Sequence, residues 1–219
     1  MATSKWHHEE IYRGKDLITK LNKQVTICGV GALGSNLVDN LTRQGFSNIK
    51  VIDKDRIETH NLNTQIWSEA DIGALKADAL KNKVFRNIGI EIEAVNKELT
   101  ASNVKSLLKN SALVVDAFDN NAARQLVQNE VRARKLPCVH CGLSSSTYGE
   151  VIYDAFYRVP KNSDEDICDY PLARNIAMLV VIIASEEMMN FFLENKPKMT
   201  NWSVTLKDLS IKPLVLSPV

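Results

Sequence analysis

The stretch Val25-Thr26-Ile27-Cys28-Gly29-Val30-Gly31-Ala32-Leu33-Gly34 decides how this chain folds. A short β-type run enters three glycines spaced G-x-G-x-x-G, and a helical pattern follows, with Leu33, Leu37 and Leu41 on one face. Each glycine meets a different steric demand. Gly29 permits the tight turn, Gly31 lets a phosphate approach the backbone, and Gly34 lets helix pack closely on strand. The helix that starts there offers free N–H groups and a partial positive charge to an anion. Gly45 ends this helix, Ile49–Ile52 reads as a second strand, and Asp53 closes that strand where a carboxylate can accept hydrogen bonds from a ribose.

Outward from this unit the pattern repeats. A polar helix is predicted over residues 7–22, and a long polar connection over 53–71. Helices follow near 74–87, 101–109 and 122–135, with strands at 91–95, 112–116 and 138–143 between and after them. Strand–helix alternation of this kind predicts an α/β fold: Rossmann-like, a mostly parallel sheet with helices on both faces. The C-terminal third differs. Residues 149–159 alternate as an antiparallel strand does, 160–169 form an acidic loop, 171–194 a long helix and 203–209 a closing strand. We read 1–219 as one domain, with a nucleotide-binding part over 1–155 and a crossover loop, long helix and closing strand over 156–219.

Composition narrows the function classes. The chain has 219 residues, 45% hydrophobic and 24% charged, as in an ordinary globular protein, and a net charge of +1 with both signs interspersed. No electrostatic footprint points to nucleic acid or to a membrane surface. The longest apolar run, Ile176 to Ala184, is shorter than the ~20 residues of a membrane helix. The N-terminus lacks a secretory pattern, and Cys28, Cys138, Cys141 and Cys168 do not form a disulfide framework, so a cytoplasmic location is expected.

The glycine turn does not separate NAD from ATP. An ATP enzyme needs cations for the polyphosphate and a carboxylate for Mg²⁺. Lys76 and Asp119 could serve these needs, because in a parallel sheet the strand C-termini gather on one edge, bringing Asp53 and the segment Asp116–Asn120 together.

Four ordered motifs make the assignment more specific. They are the glycine turn with Ser35; Asp53 and Asp55 with Ile57, Glu58, Asn61 and Asn63; Ile72 to Lys76; and Asp116, Asp119 and Asn120 with Arg124. Over about residues 9–155 this set resembles the ThiF/MoeB/HesA family, bacterial relatives of the ubiquitin-activating enzymes. The resemblance implies ATP with Mg²⁺, a homodimer, and adenylation of the terminal glycine carboxylate of a small ubiquitin-like or sulfur-carrier protein. By the same resemblance Gly31 and Asp53 match phosphate and ribose positions, with Gly29, Gly34 and Asp55 in the same nucleotide-binding motifs. Asn61 and Lys76 match polyphosphate contacts, and Asp119 with Asn120 the metal-side pair, Asp119 holding Mg²⁺. Arg13 matches an arginine that reaches into the partner subunit's site.

The chain departs from that pattern in two places. Thr64 stands where the family usually carries an arginine, a cation that Arg56 or Arg124 could replace, and the paired Cys-x-x-Cys zinc ligands are absent. Cys138-Val139-His140-Cys141 has metal-ligand spacing, but alternate strand residues face opposite sides and no second pair completes four ligands, so core cysteines are expected rather than a structural zinc. Cys168 lies in an acidic loop before the long helix, and by the resemblance could take over the activated partner as a thioester. Competing expectations are an NAD-dependent oxidoreductase, an enzyme adenylating a short peptide, and an inactive nucleotide-binding partner subunit.

Overall fold

Among the described residues eight strands form one sheet in the order β3-β2-β1-β4-β5-β6-β7-β8. A computed structural model describes residues 3–144, 147–160, 172–194 and 199–218. Strands β1 (Val25–Cys28), β2 (Ile49–Ile52), β3 (Glu93–Val95), β4 (Leu113–Asp116) and β5 (Cys138–Ser144) pair in parallel. Strands β6 (Tyr148–Tyr153), β7 (Asn201–Thr205) and β8 (Ser210–Leu214) continue the sheet antiparallel. The strand order reverses between β1 and β4, which is where open α/β sheets bind ligands beyond the strand C-termini.

The central strands β1, β2 and β4 are buried on both sides because helices cover both faces. One layer contains α2 (Leu17–Leu21), α3 (Ala32–Gln44), α4 (Lys76–Ile88) and α7 (Arg174–Leu193), over Ile27, Val51, Val115, Val139 and Val151. The other contains α5 (Val104–Leu107) and α6 (Asn121–Arg134), over Cys28, Ile52, Val114 and Cys138. Each fully buried Leu, Ile or Phe contributes roughly 1.5–3 kcal/mol relative to exposure. Helix α7 is long and apolar enough to cross a membrane by length and composition, exceeding the nine-residue run visible in the sequence. Its apolarity has a use within the fold: Ile176, Val180, Ala184, Met188 and Phe192 are buried, and it packs on α3 and β6.

Three predicted elements change. The helix expected over 7–22 is broken into α1 (His7–Arg13) and α2 at Gly14, whose φ of +112° is open to glycine and not to a helix. Only α2 buries side chains, Leu17 and Leu21, so the two pieces answer to different surroundings. The polar connection after Asp53 folds into two 3₁₀ turns, Thr59–Asn63 and Glu69–Asp71, anchored by buried Ile57 and Trp67. The closing strand is a hairpin. Lys207 N–H donates to Thr205 Oγ1 and Ser210 N–H to Asp208 Oδ1, turning the chain into β8, where Pro213 is compatible with an edge.

Candidate active site

The glycine turn has the sterics its spacing requires. Gly29 sits at φ +93°, and a Cβ there would meet the Ala117 carbonyl oxygen at 2.8 Å. A Cβ on Gly34 would collide with the carbonyl oxygen of Gly29, whereas one on Gly31 would meet nothing within 4 Å. Open space therefore lies over Gly31, at the first turn of α3, and tight packing lies behind it. Ala117 N–H also donates to Cys28 O at 2.8 Å, so the turns after β1 and β4 wall the same crevice.

Asp53, expected to meet a ribose, has a structural task as well. Its Oδ2 accepts from Val30 N–H at 2.6 Å and its Oδ1 from Asp55 N–H at 2.7 Å, so the carboxylate staples the end of β2 to the glycine turn. Burial raises its pKa, against the lowering effect of the two N–H donors and of Lys76. The segment after Asp53 doubles back: Lys76 N–H donates to Asp55 O at 2.9 Å, and Lys76 Nζ lies 3.7 Å from Asp55 Oδ2. The fold thus brings a buried ammonium to the edge that carries Asp53 and Asp55. Asn61 is also buried, but its Oδ1 accepts from Glu58 N–H at 2.9 Å and caps the first 3₁₀ turn.

Asp119 and Asn120 part company. Asp119 is exposed and makes no hydrogen bond or ion pair with the described residues. Asn120 caps α6, its Oδ1 accepting from Ala123 N–H at 2.8 Å. Behind them lies a buried polar cluster that the sequence reading passed over. Register puts Cys28, Asp116 and His140 side by side on adjacent strands. Asp116 Oδ1 accepts from Phe118 N–H at 3.1 Å, and its Oδ2 lies 2.8 Å from His140 Nδ1 and 3.6 Å from Arg124. His140 Nε2 lies 3.1 Å from Asp154 Oδ1, and Tyr157 stacks on the imidazole at 3.9 Å. The signal available in the sequence was a histidine in a buried strand, on the same face as its neighbour at i−2.

Cys138 Sγ lies 3.6 Å from His140 Nε2, which gives a thiol–imidazole–carboxylate row. It is not a nucleophile's environment. Cys138 is buried and burial pushes its thiol up, as it does for Cys28 and for Cys141, the last to about 12. Cys138 and Cys141 belong to opposite faces of the sheet, so their spacing does not converge on one ion. Cys168 lies outside the described residues.

The other predicted cations are engaged. Arg13 bonds Glu9 at 2.7 Å and takes Glu186 bidentately at 3.0 and 2.8 Å, so within this chain it is held against α7. Arg56 donates to Gly73 O at 2.7 Å on the surface. Arg124 is buried, donating to Tyr157 Oη at 3.0 Å and Cys141 O at 2.8 Å beside Asp116. Arg124 is thus committed to the buried cluster, whereas Arg56 is exposed with one surface hydrogen bond; Thr64 is itself buried. Arg174 instead overlies that turn, with 3.4 Å contacts to Gln65 O and Asn36 Oδ1, at the rim of a cavity of about 550 Å³ also bordered by Asn63 and Trp67.

This donor set suits a nucleotide. The space over Gly31 admits a phosphate to the start of α3, and Lys76 supplies a cation beside Asp55. Among the described residues no group of three His, Cys, Asp or Glu could hold a metal by itself. A lone exposed carboxylate such as Asp119 is compatible with Mg²⁺, which keeps waters and shares its shell with phosphate oxygens.

Fold and glycine turn together define an α/β protein of the nucleotide-binding kind, with its crevice between β1 and β4. The chain belongs to the ThiF family, which it matches over residues 10–210. It is similar to the SAMP-activating enzyme E1 of Haloferax volcanii, 32% identical over 122 residues, which are 55% of this chain and 45% of that protein. It is also similar to the sulfur carrier protein ThiS adenylyltransferase of Bacillus subtilis, 28% identical over 130 residues, 58% of this chain and 38% of that protein. The chain thus spans less than half the length of these two relatives. In fold it is similar to E. coli MccB solved with ATP, with a TM-score of 0.81 and 17% identity over 99% of this chain and 72% of that one.

Proposed function

We propose that this chain uses ATP to adenylate a carboxylate, that of the C-terminal glycine of a small ubiquitin-like or sulfur-carrier protein. The observation that carries the reading is Lys76: a buried ammonium placed beside Asp55, next to an open glycine turn, provides for a polyphosphate. A nicotinamide dehydrogenase needs its pyrophosphate held by backbone donors and has no such use for a lysine. Family membership and the names of the two relatives support the same class of chemistry.

In the proposed reaction a substrate carboxylate oxygen attacks the α-phosphorus in line. The bond from that phosphorus to its bridging oxygen breaks, and pyrophosphate leaves with the electron pair. Catalysis is positioning plus charge stabilisation. Gly31 and the α3 N-terminus would receive phosphate, Asp53 the ribose, and Lys76 with Asn61 the polyphosphate. Mg²⁺ at Asp119 would supply charge neutralisation for the leaving group.

The partner-subunit role of Arg13 requires a homodimer and release from Glu186. Exposed apolar side chains on α1 and α7, Ile11, Tyr12 and Ile182, support an assembly that covers them. A thioester on Cys168 would follow adenylation, because the carboxylate needs no thiol for the first step.

ATP–pyrophosphate exchange with candidate carboxylates tests the reading. Exchange that depends on a small protein ending in glycine is the expected result. Exchange with a short peptide alone would change the substrate, and tight NAD binding without ATP binding would overturn the reaction class. Folded protein that binds ATP but never exchanges would mark an inactive partner subunit.

A further inference from the structure

His140 sits between two carboxylates. Its Nδ1 is 2.8 Å from Asp116 Oδ2 and its Nε2 3.1 Å from Asp154 Oδ1. A neutral imidazole has one N–H, so its bare nitrogen would face a carboxylate oxygen at hydrogen-bond distance with no proton between them. An imidazolium donates to both. The surroundings are built to hold that charge in a buried place: the ring is 1% exposed and stacked on Tyr157. The outer carboxylate is tied down by Arg132, whose Nε reaches Asp154 Oδ2 at 2.9 Å, and the inner one is flanked by Arg124. Every element packed on the ring contributes a group. They are Asp116 from β4, Cys138 from β5 itself, Arg124 and Arg132 from α6, Glu150 from β6, and Asp154 and Tyr157 from the turn after β6.

The cluster reaches the nucleotide edge through Asp116. Asp116 Oδ2 faces His140, and its Oδ1 takes the N–H of Phe118 at 3.1 Å, which fixes the start of the turn 117–120. The end of that turn is fixed by the Asn120 cap, and its beginning is pressed on the glycine turn through Ala117. Among the described residues Asp119 has no side-chain partner, so its placement follows that of the turn.

We propose that His140 is a positioning residue for the adenylation site: as an imidazolium bridging Asp116 and Asp154, it orients Asp116 and through it the turn that presents Asp119. This rests on the adenylation reading for what Asp119 does. Burial alone would lower the pKa of His140, yet Cys138 and the two carboxylates hold it well above the ordinary value, in keeping with the geometry. Without the imidazolium Asp154 keeps Arg132, whereas Asp116 loses the donor at its Oδ2 and is then free to turn away from Phe118 N–H.

The test has two arms on the intact chain. Imidazole nitrogen NMR, with His140→Gln assigning the signal, should show both ring nitrogens protonated at pH 7; a neutral tautomer there overturns the proposal. ATP binding is then measured with Mg²⁺ and with EDTA. In folded His140→Gln, affinity in EDTA should stay within about twofold, while the Mg²⁺-dependent gain and pyrophosphate exchange fall by about tenfold or more, the scale of losing a hydrogen bond to a charged group. A residue that only supports the fold would lower the melting temperature without altering that split, and an unchanged Mg²⁺ gain overturns the proposal. If His140→Gln does not fold, Asp154→Asn replaces it. The ring should then titrate at lower pH than in the parent, and the Mg²⁺-dependent gain should fall as pH rises through that titration; a gain flat with pH overturns the proposal. Parent protein that binds ATP·Mg²⁺ but shows no exchange would defeat the adenylation reading alone, since the Mg²⁺ arm still judges His140. Parent that binds no ATP would defeat both.

Discussion

Asp53 Oδ2 accepts a 2.6 Å hydrogen bond from the N–H of Val30, so the residue proposed to meet a ribose also holds the glycine turn in shape. Removing the carboxylate therefore has two effects. Asp53→Ala leaves two N–H groups, the buried one of Val30 and the partly buried one of Asp55, without their acceptor. A loss of ~1–3 kcal/mol in stability is expected, with ATP affinity falling further than in a variant of equal instability elsewhere. Denaturant unfolding and titration calorimetry check this; a variant of parental stability would mean that other groups satisfy the turn.

The glycines should separate packing from binding. Gly31→Ala adds a methyl to open space, so stability should change little while ATP binding weakens, because the methyl occupies the phosphate approach. Gly34→Ala drives a methyl into the Gly29 carbonyl and should cost several-fold more stability than Gly31→Ala does. Thermal denaturation of the two variants side by side, with ATP titrations, is the measurement. Equal melting temperatures would contradict the packing.

Asp119 and Lys76 make a second contrast. Asp119→Ala, on the exposed turn, should stay within ~0.5 kcal/mol of parental stability and yet lose most pyrophosphate exchange. Lys76→Ala should lose exchange and ATP affinity together, since the ammonium is proposed to meet phosphate in the ground state as well. Exchange assays on folded variants decide, and an active Asp119→Ala protein would take the metal away from that residue.

The buried cluster gives stability a pH signature with two limits. His140 is raised above its unfolded value of about 6.5, so its contribution is complete below that pH, persists through neutrality, and is lost as pH rises through the folded pKa. Asp154 goes the other way: burial opposes its charge, but His140 and Arg132 hold its pKa below the unfolded value of about 3.9. Its contribution is present above that value and lost as pH falls through the folded pKa. Denaturation midpoints against pH should therefore show an alkaline decline in the parent that Asp154→Asn moves toward neutrality. An identical alkaline limb in both would show that another group is responsible.

Arg13 provides a prediction about assembly. Its bidentate bond to Glu186 is partly exposed and so contributes little to stability, which leaves the guanidinium able to change partners. If it acts across a homodimer, Arg13→Ala and Asp119→Ala proteins should each be weak. After subunit exchange, mixed dimers should regain one complete site. No recovery despite proven exchange would confine Arg13 to its link with Glu186.

Local pattern made much of this chain legible. The turn at Gly29–Gly34, the strands on either side of it and Asp53 at a strand end all follow from residues within a few positions of one another, where glycine sterics and the period of apolar side chains act directly. The alternating order likewise implies parallel pairing, because a crossover helix returns the chain in the same direction. The breaks came where neighbours far along the chain decide. Helix 7–22 divides at Gly14, with only its second half burying side chains in the core, and β8 exists because a hairpin after Thr205 finds β7 to pair with.

What the sequence alone determined, then, is the nucleotide-binding frame: its chemistry is short-range and carried by residue type. Only the tertiary structure decided which charged groups meet. It folds the 53–76 segment back to set Lys76 beside Asp55, assigns Asn120 to a helix cap, ties Arg13 to Glu186, and aligns Asp116, His140 and Asp154 in one row. Those encounters depend on strand register and on which faces pack together. A single-residue change of register on β5 would carry His140 to the other face of the sheet, away from Asp116.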